Sequence, residues 1–235
     1  MVLKKTASAL ALLVTCGGAM ASAQGAADVV WTFDRLENIG GFKTTVEGAP
    51  KVVDTPLGKA IEFDGVDDAI WIEKHPLAGA ATFTFEVIYR PDGGAFEQRW
   101  FHLAERDPKT GLLASAGAAA DTNARFLFEL RVVDKSWYLD AFVNGPGYNR
   151  ALMFKDKLHP IGEWYHVAQT YDGKMFRSYV NGVLQGEAEV AFRPQGEGAA
   201  SLGTRINRVN YFKGAIRQAR FTPRALTPDE FLKIK

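Results

Sequence analysis

The sequence predicts an all-β fold, a jelly-roll sandwich of two antiparallel sheets closed by a short C-terminal helix. Three observations carry this. Apolar residues alternate with polar ones at a period of two through most of the chain, turn dipeptides separate the alternating runs, and helix-period stretches are scarce.

The alternation is clearest in Thr82 to Tyr89, where Phe83, Phe85, Val87 and Tyr89 take one face before Pro91-Asp92-Gly93-Gly94 ends the strand. Arg125 to Val133 repeats the pattern, with Phe126, Phe128, Leu130 and Val132 on one side and Arg125, Glu129 and Arg131 on the other. Further strands are predicted over Trp137 to Val143, Trp164 to Tyr171 and Met175 to Val180. Asp172-Gly173 and Asn181-Gly182 suit tight hairpins, whose central residues need positive φ, so these last strands read as a meander. Asp64-Gly65 and Asn144-Gly145-Pro146-Gly147 mark further turns. Only Thr227 to Ile234 reads as helical, with Thr227 as N-cap, Pro228 at the first helical position and Asp229 and Glu230 after it. Arg106 to Ala124, rich in Asp, Gly and Ala, reads as a long loop, mobile rather than a lid.

Lys4 and Lys5, the largely apolar run from Ala7 to Val14 and the Ala21-Ser22-Ala23 motif predict a signal peptide over residues 1–23. The run is too short to span a bilayer, and no second membrane segment follows. The expectation is a secreted or periplasmic protein with one domain over residues 24–235. The only cysteine, Cys16, lies in the leader, so the mature domain relies on its core rather than on disulfides. With 28 basic and 27 acidic residues the chain lacks the basic footprint of a nucleic-acid binder.

Several stretches, in chain order, resemble one family. They are Ala60 to Ile70 with its Phe63-Asp64-Gly65 turn, Glu163-Trp164-Tyr165-His166-Val167-Ala168-Gln169-Thr170-Tyr171-Asp172-Gly173, Tyr179-Val180-Asn181-Gly182-Val183, and Phe212-Lys213-Gly214-Ala215-Ile216 with its exit at Arg224-Ala225-Leu226. Together they resemble the laminin-G-like (LamG) jelly-roll domain of the concanavalin A-like lectin/glucanase superfamily. The resemblance implies a glycan-binding or adhesive module, with polysaccharide hydrolases and lyases among its wider cousins. It does not decide catalysis. Relatives often carry an Asp-Glu pair after the closing-strand isoleucine, which supports a structural calcium; here Arg217 and Gln218 stand there. No cofactor is therefore expected, and a structural calcium is doubtful because that ion wants several oxygen ligands. Asp34, Asp64, Asp67 and Asp68 read three to one as turn residues rather than ligands.

The candidate ligand-binding residues lie on polar strand faces. His102 stands opposite Phe101 and Leu103; Glu129 and Arg131 share a face; Tyr138 and Asp140 alternate with Trp137 and Leu139; Arg177 pairs with Tyr179, and Arg205 with Asn207. One sheet gathering these residues would suit a uronate-containing glycan, since arginine forks carboxylates and aromatic rings stack on sugar faces. The blander reading is an ordinary solvated face, its Glu129–Arg131 pair contributing roughly 0 to 1 kcal/mol. Arg193, Arg205, Arg208, Lys213, Arg217, Arg220 and Arg224 form either an anionic-glycan patch or a solvated edge.

The same groups would serve a lyase, with arginine neutralising the uronate while Tyr or His moves protons. No catalytic residue is assigned. Glu62-x-Asp64-x-x-Asp67 is broken by the Asp64-Gly65 turn and makes no glucanase pair on one strand. Tyr211-Phe212-Lys213 is similar to a fragment of an alginate-lyase motif, whose Gln-x-His partner is missing. No histidine pair has zinc-ligand spacing. The primary expectation is a secreted lectin-like protein for polysaccharide; a lyase and a protein-binding adhesion module are the alternatives.

Overall fold

The computed structural model describes residues 27–114 and 124–234. The signal peptide expected over residues 1–23 lies outside the described residues, as do residues 115–123 of the long loop. At the start of that loop, Arg106 bridges to Leu113, and Asp107 Oδ1 accepts the Lys109 N–H at 2.8 Å.

The first strands are β1 (Val29–Thr32), β2 (Asn38–Ile39), β3 (Phe42–Glu47), β4 (Lys51–Thr55), β5 (Gly58–Asp64) and β6 (Ala69–Ile72). The long central strands follow: β7 (Phe83–Pro91), β8 (Glu97–Glu105), β9 (Arg125–Val133) and β10 (Ser136–Gly145). The remainder are β11 (Tyr148–Met153), β12 (His159–Pro160), β13 (Tyr165–Tyr171), β14 (Met175–Val180), β15 (Val183–Glu189), β16 (Gly198–Leu202) and β17 (Lys213–Thr222).

Two antiparallel sheets result, as the alternation predicts. One runs β15-β14-β13-β7-β17-β5-β4, with β1 also on β17; the other runs β11-β10-β9-β8-β16-β6-β3-β2, with β12 on β10. The predicted meander is β13-β14-β15, and Asn181 (φ 48°) and Gly182 (φ 78°) both adopt the left-handed conformation its second turn needs. Between the sheets, Phe85 of β7 meets Phe128 of β9 at 4.6 Å, and Tyr89 stacks on Trp100 of β8 at 4.0 Å. Burial of these rings is the main favourable contribution to the fold.

The expected C-terminal helix is absent. Its capping signal does form: Glu230 Oε2 accepts the Thr227 N–H at 2.9 Å, and the Glu230 N–H donates to the Thr227 carbonyl at 3.0 Å. A second turn would need the backbone groups that follow, and the eight-stranded sheet takes them. The Leu232 N–H donates to Glu86 Oε1 at 2.8 Å, and the Glu230 carbonyl accepts from Arg220 Nη2 at 2.8 Å. Tertiary bonds outcompete the helix, and only a turn survives. No helix among the described residues is long and apolar enough to cross a membrane.

Candidate functional site

β8, β9 and β10 lie side by side, and their register sets the site. Arg99 faces Glu129, which faces Asp140; Glu97 faces Arg131, which faces Tyr138; His102 faces Leu127, which faces Phe142. Alternation sends Phe126, Phe128 and Leu130 inward, so these rows project from the outer face of the sheet. One irregularity matters. The β8–β9 register shifts between Arg99 and Phe101, so Trp100 and Phe101 both reach the core while Arg99 and His102 both point outward. Ala151 and Met153 of β11 and Arg205, from the loop after β16, complete a cleft of about 250 Å³.

The cleft is a network of charges. Arg99 Nε donates to Glu129 Oε1 at 2.6 Å and also pairs with Glu97. Arg131 Nη2 lies 2.7 Å from Asp140 Oδ2 and 3.4 Å from Glu97 Oε1. Two arginines lie over rings: Arg125 is 5.1 Å from the Phe142 centroid, and Arg131 is 5.9 Å from that of Phe96, which is 58% exposed. Asp140 is 1% exposed, and its Oδ1 has no hydrogen-bond partner. Burial, reinforced by the facing Glu129 carboxylate and only partly offset by Arg131, pushes its pKa up to about 7. Burial and then the charge of Arg205 push Arg125 down to about 10. Four guanidinium groups thus face three carboxyls, one of which is only part-ionised near neutrality.

Of the residues expected to bind ligand, Glu129, Arg131, Asp140 and Arg205 line this cleft. Tyr138 shares their outward face as the cross-strand partner of Arg131 but is buried beside it. His102 is wholly buried beneath the Arg205 loop, where its Nδ1 accepts the Ile206 N–H at 3.0 Å. Burial, with Arg125 and Arg205 nearby, holds its pKa well below the usual histidine range. It positions the loop. Asn207 is exposed on the same loop.

Arg177 and Tyr179 are not gathered with the others, because β14 belongs to the opposite sheet. Arg177 is clamped by Asp172 at 2.5 Å and Glu187 at 2.7 Å, and Tyr179 packs on Phe231 at 5.2 Å. The arginines of the closing third also disperse. Arg193 bonds Glu105, Arg208 bonds Glu47, Arg220 bonds Glu86 and Arg224 bonds Glu230. Arg99, Arg125 and Phe142, with the apolar Leu127, Ala151 and Met153, are the cleft residues absent from the sequence-based set. Arg125 and Phe142 were within reach of alternation; Arg99 was hidden by the bulge.

Asp64, Asp67 and Asp68 bring carboxylate oxygens within 4.8 Å of one another. These carboxylates also hold backbone: Asp68 accepts the N–H groups of Asp64 and of Ala49, nineteen residues earlier, and Asp64 accepts that of Val66. Asp34 bonds Arg35. Arg217 sits at a register shift in β17 and donates to the Leu57 carbonyl and to Gln218 Oε1.

Comparison with solved structures agrees with this architecture. The chain is similar to domain 4 of AbnA, a GH43 extracellular arabinanase from Geobacillus stearothermophilus, in complex with arabinotriose. Identity is 19% and the TM-score 0.61, covering 86% of this chain and 94% of that one. It is also similar to the binding domain of Paraclostridial Mosquitocidal Protein 1 (15% identity, TM-score 0.60, 86% of this chain and 50% of that one). The binding domain of botulinum neurotoxin DC in complex with SialylT is a third (9% identity, TM-score 0.57, 86% and 49%). At these identities the likeness shows the fold. No curated protein matches the chain by sequence. The Laminin_G_3 family model matches residues 64–231, and the chain belongs to that family of the concanavalin A-like lectin/glucanases superfamily.

Proposed function

We propose that this is a secreted, lectin-like protein that binds acidic polysaccharide in the cleft of the nine-stranded sheet. The observation that carries the reading is the cleft itself, in which Arg99, Arg125, Arg131 and Arg205 converge with the Phe142 ring beside them. A uronate carboxylate meets guanidinium forks there, and Phe142 and the exposed Phe96, each with an arginine over its ring, give the site an aromatic border against which a sugar can pack. Glycan-binding neighbours of the same fold, with arabinotriose and SialylT as their bound molecules, support a carbohydrate role in general. The leader motif supports export.

Retention of the protein on immobilised acidic and neutral polysaccharides tests this. Acidic glycans are expected to bind, with affinity falling as salt rises, and Arg131→Ala is expected to weaken binding about tenfold to a hundredfold, the value of a charged hydrogen bond. Salt-independent binding, or full affinity in a folded Arg131→Ala variant, overturns it.

Lyase action is the second reading, favoured by Asp140, a carboxyl poised near neutrality beside Arg131. Its burial separates it from solvent. New unsaturated ends absorbing in the ultraviolet during incubation would establish that reading; retention without product leaves binding alone.

A further inference from the structure

A transverse row links the cleft to a second one on the same outer face. The register runs from Phe142 on β10 through Leu127, His102 and Ser201 to Trp71 on β6, one residue per strand. Four inter-strand steps of about 4.8 Å place Trp71 roughly 19 Å from Phe142. The middle of the row is occupied by the protein's own chain. His102 holds the Ile206 N–H, and Ser201 Oγ donates to the Thr204 carbonyl at 2.7 Å. The loop they hold therefore crosses the row, with Arg205 lining the first cleft and Arg208 the second.

The second cleft measures about 280 Å³ and differs in chemistry. Ile70 and Ile72 turn inward, so alternation places the Trp71 indole on the outer face, a costly position for so large an apolar group. One side of the ring packs against the small cluster of Ala104, Ala114 and Ile206, and the rest is covered by Arg208, whose guanidinium lies 4.7 Å from the ring centroid. The arginine part of that cover is exchangeable. The Arg208 side chain is 57% exposed, it extends from a left-handed residue (φ 59°), and its anchor is a surface pair with Glu47, a class that contributes little. Glu47 and Glu73 balance Arg208 and Arg106, so this cleft carries no charge excess, unlike the first.

We infer that Trp71 is the platform of a second subsite, which stacks a neutral sugar of the same extended glycan whose acidic residue occupies the arginine cleft. The inference rests on the proposed glycan-binding reading and adds to it ligand length and composition. The ligand is an oligomer long enough to cross the 204–210 loop, with an uncharged sugar at one end and a uronate at the other. Glu47 and Arg208 flank the ring and supply hydrogen bonds to its hydroxyls.

Calorimetric titration of the full chain with two probes tests this: a galacturonate disaccharide, and a glucuronoxylan oligosaccharide whose neutral xylose chain carries one glucuronate. Trp71→Ala is expected to weaken the longer probe about tenfold, as loss of one stacking contact would, and to leave the disaccharide unchanged. The longer probe alone should change indole fluorescence, and Trp71→Phe, a milder variant should the first fail to fold, should abolish that change. An unchanged affinity of the folded Trp71→Ala variant for the longer probe, or an unchanged fluorescence response in Trp71→Phe, overturns the second subsite while leaving the arginine cleft standing. Equal weakening of both probes makes Trp71 structural and also overturns it. If the unaltered protein binds neither probe, the acidic-glycan reading fails and this inference fails with it.

Discussion

Two buried carboxyl groups, one on the outward face of each sheet, behave in opposite ways. Glu86 of the eight-stranded sheet is 0% exposed, and Asp140 of the nine-stranded sheet is 1% exposed. Burial is the strongest influence on both and disfavours the charged form. For Glu86, however, His166 Nε2 at 2.9 Å, Arg220 Nε at 2.5 Å and the Leu232 N–H at 2.8 Å outweigh it and lower the pKa. Asp140 has Arg131 on one oxygen, a facing carboxylate and an unpartnered second oxygen, so its pKa rises. The difference is completeness. On the eight-stranded face the C-terminal segment closes over Glu86, whereas the nine-stranded face keeps its charges at the wall of a cleft.

The largest effect should come from breaking the completed site. Glu86→Gln leaves Arg220 without its buried anion, weakens the tie to Leu232 and is expected to cost about 3–5 kcal/mol of stability, the usual result of removing one partner of a buried pair. Denaturant unfolding measures it. A loss below about 1 kcal/mol, the surface-pair range, would mean that the C-terminal segment is not fastened through this carboxylate.

Asp140→Asn should have a smaller effect, and its signature is the pH dependence. Asp140 holds its proton more tightly in the folded chain, with a pKa of about 7 against an ordinary 3.8. Its contribution to stability is therefore full below about pH 4 and is lost as pH rises through 7. His102 acts with the opposite sign: its folded pKa is depressed, so its contribution is lost as pH falls below the ordinary 6.5. The amide variant should lose the decline toward neutral pH, a change of about 1–3 kcal/mol, the cost of one poorly satisfied buried group, and keep the acid-side decline. An unchanged profile between pH 4 and 7 would mean that Asp140 is fully satisfied and that the two faces do not differ.

Local sequence dictates some of these contrasts and not others. Alternation alone placed Glu129 with Arg131 and Tyr138 with Asp140 on outward faces, and the register confirms each. It could not place Arg99, because the extra residue at Trp100 moves the strand out of phase, and a bulge leaves no mark in a period-two pattern. The C-terminal segment shows a different limit. Its capping signal was local and did form, but the groups that stop the helix, Glu86 and Arg220, lie 146 and 10 residues away from those they bind. His102 was correctly turned away from Phe101, yet which backbone group it would meet depended on a loop about a hundred residues later. Strand order was the least legible feature. Nothing in Met175 to Val180 says that it joins the sheet opposite Arg125 to Val133.

Arg177 is where that last limit can be tested, and the expected effect is the smallest. The residue has the chemistry of a uronate ligand and, by sequence alone, ranks with Arg131. In the folded chain it stands on β14, donating to Asp172 Oδ2 and Glu187 Oε2, with its half-turn fastened independently by Asp172 Oδ1 to the N–H groups of Lys174 and Met175. Arg177→Ala therefore removes two partly exposed ion pairs and leaves the turn intact, at a cost of about 0–1 kcal/mol. Its affinity for acidic glycan should match that of the unaltered chain at low salt, where any contribution from a distant positive charge would be greatest. A tenfold loss in that titration would move the binding surface to the eight-stranded sheet, or spread it over both. An unchanged value beside a weakened Arg131→Ala locates it on the nine-stranded face, where the arginines meet incompletely satisfied carboxyls rather than a closed network.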